Sequence, residues 1–383
     1  MNVYFDNAAT TPLRPEVVDV MHQVLLDNFG NPSSTHAFGR TARTQIETAR
    51  KSVAAHFNCK PQEIIFTSGG TESDNMLLRS AVEDLGVQTL ITTKIEHHAI
   101  LHAVDFLAAK GCKIVYIPVD QQGQIDYRAL EEALEIDDSK KLVTLMHVNN
   151  EIGTILDLKH VAELCQTHAA LFHTDAVQGV GHYEINLSEI PIDFLSAAAH
   201  KFHGPKGVGF SFVRTNSGLN PFILGGAQER GLRAGTESVH NIVGMAKALE
   251  ISYAKLDQER NYILDLKAYA KAGFRSLFPD AHFNGCCGDE DKSTYTLLNV
   301  CFPVPADKAG LLDFHLDLKG IACSKGSACQ SGSAAGSHVL NEVVPSHLKS
   351  NPSLRFSFSS FNTRAEIDYL MDVLKEFSLT VAS

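Results

Sequence analysis

Residues 171–178 read LFHTDAVQ, and residues 192–207 read IDFLSAAAHKFHGPKG. Each begins as a short apolar, strand-like run (Leu171–Thr174 and Ile192–Ser196) and then breaks off at a residue able to do chemistry, Asp175 in one and Lys201 in the other. Ligands of open α/β sheets sit just outside the carboxyl ends of the strands. A carboxylate there can keep a ring nitrogen protonated, although Asp175 could equally cap a following helix. A lysine among small residues, with glycines beyond it, can be partly desolvated and so form a Schiff base. The plainer alternative is a surface lysine. His200 and His203 flank Lys201 without a third ligand at metal spacing, so no metal is expected.

Working outward, the region from about residue 15 to residue 215 alternates strand-like with helix-periodic stretches. Pro15 opens a helix with Val17, Val20, Met21, Val24 and Leu25 on one face, and a second follows around Ala42, Ile46, Ala49 and Val53. Further strands are expected at Glu63–Thr67, Leu90–Thr93, Lys113–Val119, Leu142–Val148 and Gly207–Val213, with helices at Asn75–Val82, Tyr127–Leu134 and Lys159–His168. The pattern predicts an α/β fold with a mostly parallel seven-stranded sheet covered by helices on both faces. A long charged helix, Ala246–Leu277, then leads into a smaller α+β unit. The expected division is a large domain over 15–256 and a small one built from 1–14 and 257–383.

Two further stretches carry chemistry. Ser68-Gly69-Gly70-Thr71-Glu72-Ser73 lies between a strand and a helix, where backbone N–H groups and a helix N-terminus favour an anion; Thr71 or Ser73 could instead be a simple N-cap. In Ser324–Ser333, Cys329 stands among small polar residues, and Lys325 could favour its thiolate, with oxidation sensing as the competing reading. The surrounding segment, about 322–337, is expected to be a mobile loop. The other thiols, among eight cysteines with no CxxC pair, read as small core residues and argue against a disulfide framework. The net charge of −11, from 33 Lys plus Arg against 44 Asp plus Glu, comes without a basic run, which speaks against nucleic acid as a partner. With no signal peptide and no membrane-spanning run, the expected setting is cytoplasmic.

An anion-binding glycine turn, then a strand-end Asp, then a lysine is the order of a fold-type I pyridoxal-phosphate site. At this point the chain closely resembles the cysteine desulfurases of the class V aminotransferase group. The resembling residues are Asp6–Pro12, Ser68–Asn75 (SGGTESDN), Glu96-His97, His147–Gly153 (HVNNEIG), Asp175–Gln178, His200-Lys201, Gly204–Gly207, Glu229–Thr236 (ERGLRAGT), Gly326–Cys329 (GSAC) and Arg355–Ser357. The long GSAC loop is similar to the branch with an extended cysteine loop.

The resemblance implies a fold-type I transferase that uses pyridoxal 5'-phosphate to take sulfur from L-cysteine, giving L-alanine and a Cys329 persulfide. It implies that Lys201 forms the Schiff base and moves the Cα proton, that Asp175 pairs with the pyridinium nitrogen, and that Gln178 contacts the phenolic oxygen. His97 would stack on the ring and share in proton transfer. Gly70, Thr71 and His200 would hold the phosphate, with Thr236 reaching in from the second subunit of a homodimer. Asn150 would contact cofactor or substrate, and Arg355 would clamp the substrate carboxylate. The sulfur would pass to an acceptor protein, an iron–sulfur scaffold or a tRNA-thiolation relay. Ala198 departs from the family pattern, where a phosphate-binding Ser is common. The chain also ends at Ser383, short of the tail on which scaffold-docking relatives rely. A selenocysteine lyase, or another β-lyase or transaminase on this fold, is the competing enzyme, though a transaminase needs no loop thiol. A sulfur carrier or regulator that has lost turnover is the non-enzymatic alternative, against which Lys201, Asp175, His97, Cys329 and Arg355 stand together.

Overall fold

The computed structural model describes residues 1–305, 308–325 and 336–382. Cys329, its GSAC motif and most of the expected 322–337 loop lie outside the described residues.

A short strand, β1 (Val3–Tyr4), precedes the main sheet. That sheet is built from β2 (Ile64–Thr67), β3 (Thr89–Thr92), β4 (Lys113–Tyr116), β5 (Lys141–Thr144), β6 (Leu171–Asp175), β7 (Phe194–Ala198) and β8 (Gly209–Val213). Its order is β2-β8-β7-β6-β5-β3-β4, and β8 alone runs against the others. The expected mostly parallel, seven-stranded α/β sheet is therefore what the chain forms. Because side chains alternate across a strand, neighbours enter different cores. Ile64 and Phe66 pack with the helices Pro15–Asp27, Ala37–His56 and Val239–Ala254, whereas Ile65 packs with Gly70–Glu83 and His98–Ala109.

Several strand boundaries differ from the sequence reading, for physical reasons. The apolar run Leu142–Val148 leaves the sheet after Thr144, because Met146 and Val148 turn to wall a cavity. The run Lys113–Val119 stops at Tyr116, short of Pro118, on the sheet's edge strand. The helix expected at Asn75–Val82 starts earlier, at Gly70, with Gly69 as its N-cap at φ +149°, so neither Thr71 nor Ser73 caps it. The long helix expected over Ala246–Leu277 is two helices, Val239–Ala254 and Leu256–Leu277, broken where Lys255 leaves helical geometry (ψ 11°).

The later residues add β9 (His282–Asn284), β10 (Leu297–Cys301), β11 (Ile321–Ala322) and β12 (Ser353–Ser357). The strands β12-β10-β9 form an antiparallel sheet, and β1 pairs in parallel with β11. A separate apolar core joins Val3 and Phe5 from the chain's start to Phe274, Leu298, Phe356 and Leu374 near its end.

Candidate functional site

Five of the parallel strands, β2, β3, β5, β6 and β7, end on the same edge of the sheet, and the segments leaving them converge. Gly70 and Thr71 follow β2, His97 follows β3, Asn150 follows β5, Asp175 ends β6 and Lys201 follows β7. All six, with Gln178, His200 and Arg355, line one cavity of about 210 Å³.

Asp175 is fixed by its own turn, in which the Val177 N–H donates to Oδ1 at 2.9 Å, so the carboxylate caps a turn and not a helix. Burial pushes its pKa up to about 6, while the Val177 N–H and the Lys201 ammonium pull it back. Lys201 closes a single 3-10 turn, Ala199–Lys201, and its Nζ donates to the carbonyls of Ala8 (2.7 Å) and Ala9 (2.8 Å). Gln178 Nε2 donates to the same Ala8 carbonyl at 2.8 Å. The loop Asp6–Thr11 thus orients both side chains.

His97 is the N-cap of the helix His98–Ala109, accepting from the Ala99 N–H on Nδ1 at 3.2 Å. That bond leaves the proton of the neutral ring on Nε2. Burial, aided by the Lys201 charge, lowers its pKa to about 4. His200 is held near 4 by the same two causes and pairs through Nδ1 with Thr10 Oγ1 at 3.2 Å. His203 points elsewhere, bonding Pro12 O through Nδ1 and packing edge-on to Phe361.

At the far end, Arg355 on β12 is 1 % exposed. Its Nη1 donates to Asn150 O at 2.7 Å and its Nη2 to Asp6 Oδ1 at 2.8 Å, while Nε has no partner among the described residues. Thr236 is exposed and lies off this cavity's wall. Its ERGLRAGT segment is tied down by two ion pairs, Arg50 with Glu229 at 2.7 Å, buried, and Arg233 with Glu72 at 2.8 Å, half-buried. Lys325 pairs with Asp313 at 2.7 Å. Cys323 is a packed thiol, pushed up to about 12 by burial and by the nearby Asp6 carboxylate.

Sequence reasoning missed Asp74 and Glu96 as contributors. Asp74 lines the cavity, is fully buried, and carries an Oδ1 with no hydrogen-bond partner among the described residues. Burial and the neighbouring Asp175 raise its pKa well above the carboxylate range. A signal exists only once the helix is known to start at Gly70: Asp74 is then its fifth residue, on the face that packs toward the sheet.

The cavity's donor set fits a flat, phosphorylated pyridine aldehyde. The N-terminus of the helix Gly70–Glu83 offers N–H groups to an anion. A Cβ added at Gly70 would meet Val177 Cγ2 at 2.7 Å, so only glycine leaves that approach open. Asp175 supplies a carboxylate for a ring nitrogen, His97 a flat face, and Lys201 an amine.

The profile of the aminotransferase class-V family matches residues 3–370. The chain belongs to the class-V aminotransferase family. Within it, the chain is 42% identical over 376 residues to the cysteine desulfurase IscS of Dictyoglomus turgidum, covering 97% of this chain and 93% of that protein. It is 40% identical over 377 residues to the cysteine desulfurase IscS of Methanosarcina thermophila, covering 98% and 91%. Among solved structures, a NifS-like protein superposes with a TM-score of 0.90 at 35% identity, covering 99% of this chain and all of that one. SspA in complex with cysteine superposes with a TM-score of 0.80 at 33% identity, covering 94% of this chain and 100% of that one. These class-V relatives share the fold-type I architecture of pyridoxal-phosphate enzymes.

Proposed function

We propose that this chain is a cysteine desulfurase that binds pyridoxal phosphate in the cavity above the sheet's carboxyl edge and moves sulfur from L-cysteine to Cys329. The observation that carries the reading is that Lys201, Asp175, His97 and Arg355, remote in sequence, line one cavity. Bound there, pyridoxal phosphate would supply the electron sink that lets a substrate lose its Cα proton. Gly70, Thr71 and His200 would hold its phosphate, Asp175 its ring nitrogen and Gln178 its phenolic oxygen, with Asn150 close to cofactor and substrate.

Arg355 would take the substrate carboxylate, which fixes the amino acid's orientation. Lys201 Nζ would receive the Cα proton and return one to the product. His97, neutral at pH 7 with its proton on Nε2, would donate a hydrogen bond without adding charge. The Cys329 thiolate would attack the substrate sulfur: an S–S bond forms, the carbon–sulfur bond breaks, and the carbon side gains a proton to leave as alanine.

The exposed apolar side chains Leu25, Leu26, Phe29, Phe38 and Leu224 support a homodimer, in which Thr236 would serve the neighbouring site. The separate core around Phe274 and Phe356 supports a small domain of 1–14 and 257–383 beside a large one of 15–256. None of the described helices is long and apolar enough to cross a membrane; we place the enzyme in the cytoplasm, passing sulfur to an iron–sulfur scaffold or a tRNA-thiolation relay.

The test is alanine release from L-cysteine by purified protein loaded with pyridoxal phosphate, in the presence of a thiol reductant. The expected result is turnover by the parent, none by Lys201→Ala, and none by Cys329→Ala, which should nevertheless still bind the cofactor. A parent protein that binds no pyridoxal phosphate, or a Cys329→Ala protein with normal turnover, would refute the reading.

A further inference from the structure

Arg355 already has a resident carboxylate. Its Nη2 donates to Asp6 Oδ1 at 2.8 Å, and the same oxygen accepts from Ser324 Oγ at 2.8 Å. Asp6 has little freedom to withdraw, because the backbone around it is stitched to β12. Ser357 N donates to Phe5 O at 2.7 Å, Ala8 N to Ser357 Oγ at 2.8 Å, and Asp6 itself bridges Ser357. Ser324 is held just as firmly, exchanging backbone hydrogen bonds with Arg355 at 3.2 and 2.7 Å. A guanidinium has five N–H donors. Here Asn150 O and Asp6 occupy one on each Nη, and the buried Nε–H still lacks a partner among the described residues. The arginine on the cavity wall therefore has donors left for a second anion, but that anion must arrive beside a fixed negative charge.

Resting on the reading that Arg355 takes the substrate carboxylate, we propose that Asp6 is the affinity-setting counter-charge of this site: it holds down the affinity for every α-carboxylate ligand, so that Arg355 both accepts the substrate and releases the product. Two like charges on one guanidinium weaken each other's hold, and the effect is strongest where water is excluded. Without Asp6, Arg355 would keep the Asn150 carbonyl but have no anionic partner among the described residues except the ligand, and alanine would leave slowly.

The experiment is calorimetric titration of the holoenzyme with L-alanine and, separately, with ethylamine, which lacks the carboxylate. Asp6→Asn keeps the shape and the hydrogen-bond acceptor but removes the charge. It is expected to bind L-alanine at least tenfold tighter and ethylamine unchanged, with a lower KM for cysteine and no rise in kcat. Ser324→Ala, which removes the other donor to the same oxygen and leaves the charge, is expected to bind L-alanine within twofold of the parent. Unchanged or weaker alanine binding by Asp6→Asn, equal tightening toward ethylamine, or an equal gain in Ser324→Ala would each overturn the inference. Should the Asn protein not fold, Asp6→Ser gives the same readout with a smaller side chain. Arg355→Lys separates the two layers. If it leaves alanine affinity unchanged, the carboxylate role of Arg355 falls and this inference with it. If it weakens alanine while Asp6→Asn fails to tighten it, only the counter-charge is wrong.

Discussion

Glu96 precedes His97 and is 1 % exposed, yet it forms no ion pair among the described residues, although a buried carboxylate ordinarily needs a cation. Thr93 Oγ1 donates to its Oε1 at 2.8 Å, and Oε2 has no hydrogen-bond partner among the described residues. Burial raises its pKa from 4.5 to about 8, with Asp175 adding to the rise and the Thr93 hydroxyl opposing it. The folded protein therefore binds a proton that the unfolded chain gives up over that whole interval. Because the folded pKa lies above the unfolded one, stability falls as pH rises from 4.5 toward 8 and levels off beyond. The slope is about 1.4 kcal/mol per pH unit, so the full fall is about 5 kcal/mol and roughly 3 kcal/mol of it has occurred by pH 7.

Glu96→Gln removes the titration while keeping an acceptor for Thr93. The Gln protein is expected to match the parent near pH 4.5 and to exceed its stability by about 3 kcal/mol at pH 7, the gap widening by about 1.4 kcal/mol per unit between. Urea unfolding of both proteins at pH 5, 6, 7 and 8 reads this directly. A gap equal at pH 5 and pH 8 would show that Glu96 is ionised in the folded state. So would a Gln protein less stable than the parent at pH 7, and either result would refute the reasoning.

His147, fully buried, has its pKa lowered by that burial from 6.5 to about 4, so it is neutral when folded and takes up a proton on unfolding in acid; its contribution is present above pH 6.5 and is lost as pH falls toward 4. His147→Gln is accordingly expected to flatten the acid side of the stability curve by about 1.4 kcal/mol per unit across that window, read by urea midpoints at pH 4.5 and 6.5. Glu229→Gln should destabilise the fold by about 3 kcal/mol, because it removes the two-pronged partner of the buried Arg50 and leaves only the half-exposed Glu47 at 3.2 Å; a loss below about 1 kcal/mol would mean that Glu47 alone suffices as counter-charge. Cys323→Ala should keep cysteine turnover within about twofold, since a thiol held up near 12 supplies almost no thiolate at neutral pH; alanine release that disappears in this variant would contradict that.

The sheet was legible because its signal is local. Ile64–Phe66, Leu142-Val143 and Phe194-Leu195 are apolar on both faces, as buried parallel strands must be. Strand ends were harder, since apolarity marks burial and not pairing: Met146 and Val148 are as apolar as Leu142 but face a cavity. Lys201 and Asp175 could be named because each follows a strand-like run at its carboxyl end, whereas His97 was legible only through the family resemblance. Asp74 could not be weighed, because its neighbours Asp175 and His173 come from a different part of the chain, with Asp74 Oδ1 3.7 Å from His173 Nε2.

The loop Asp6–Thr11 shows why the remaining roles were invisible. Along the chain it adjoins β1, which pairs with β11, and Phe5 packs in the core of the carboxyl-terminal residues. Yet Ala8 O receives both Lys201 Nζ and Gln178 Nε2, and Thr11 Oγ1 donates to His200 O at 2.9 Å. Backbone carbonyls carry no sequence signature, so no reading of AATT could assign them. The consequence is thermodynamic. Lys201 is oriented by carbonyls of a loop whose Phe5 packs in one core, and Asp175 ends a strand of another, so the amine and the carboxylate line one cavity only when the two cores are docked. Loosening that docking, for instance at the His182–Tyr295 pair whose Nδ1 and hydroxyl lie 3.0 Å apart, should weaken cofactor binding before either core melts.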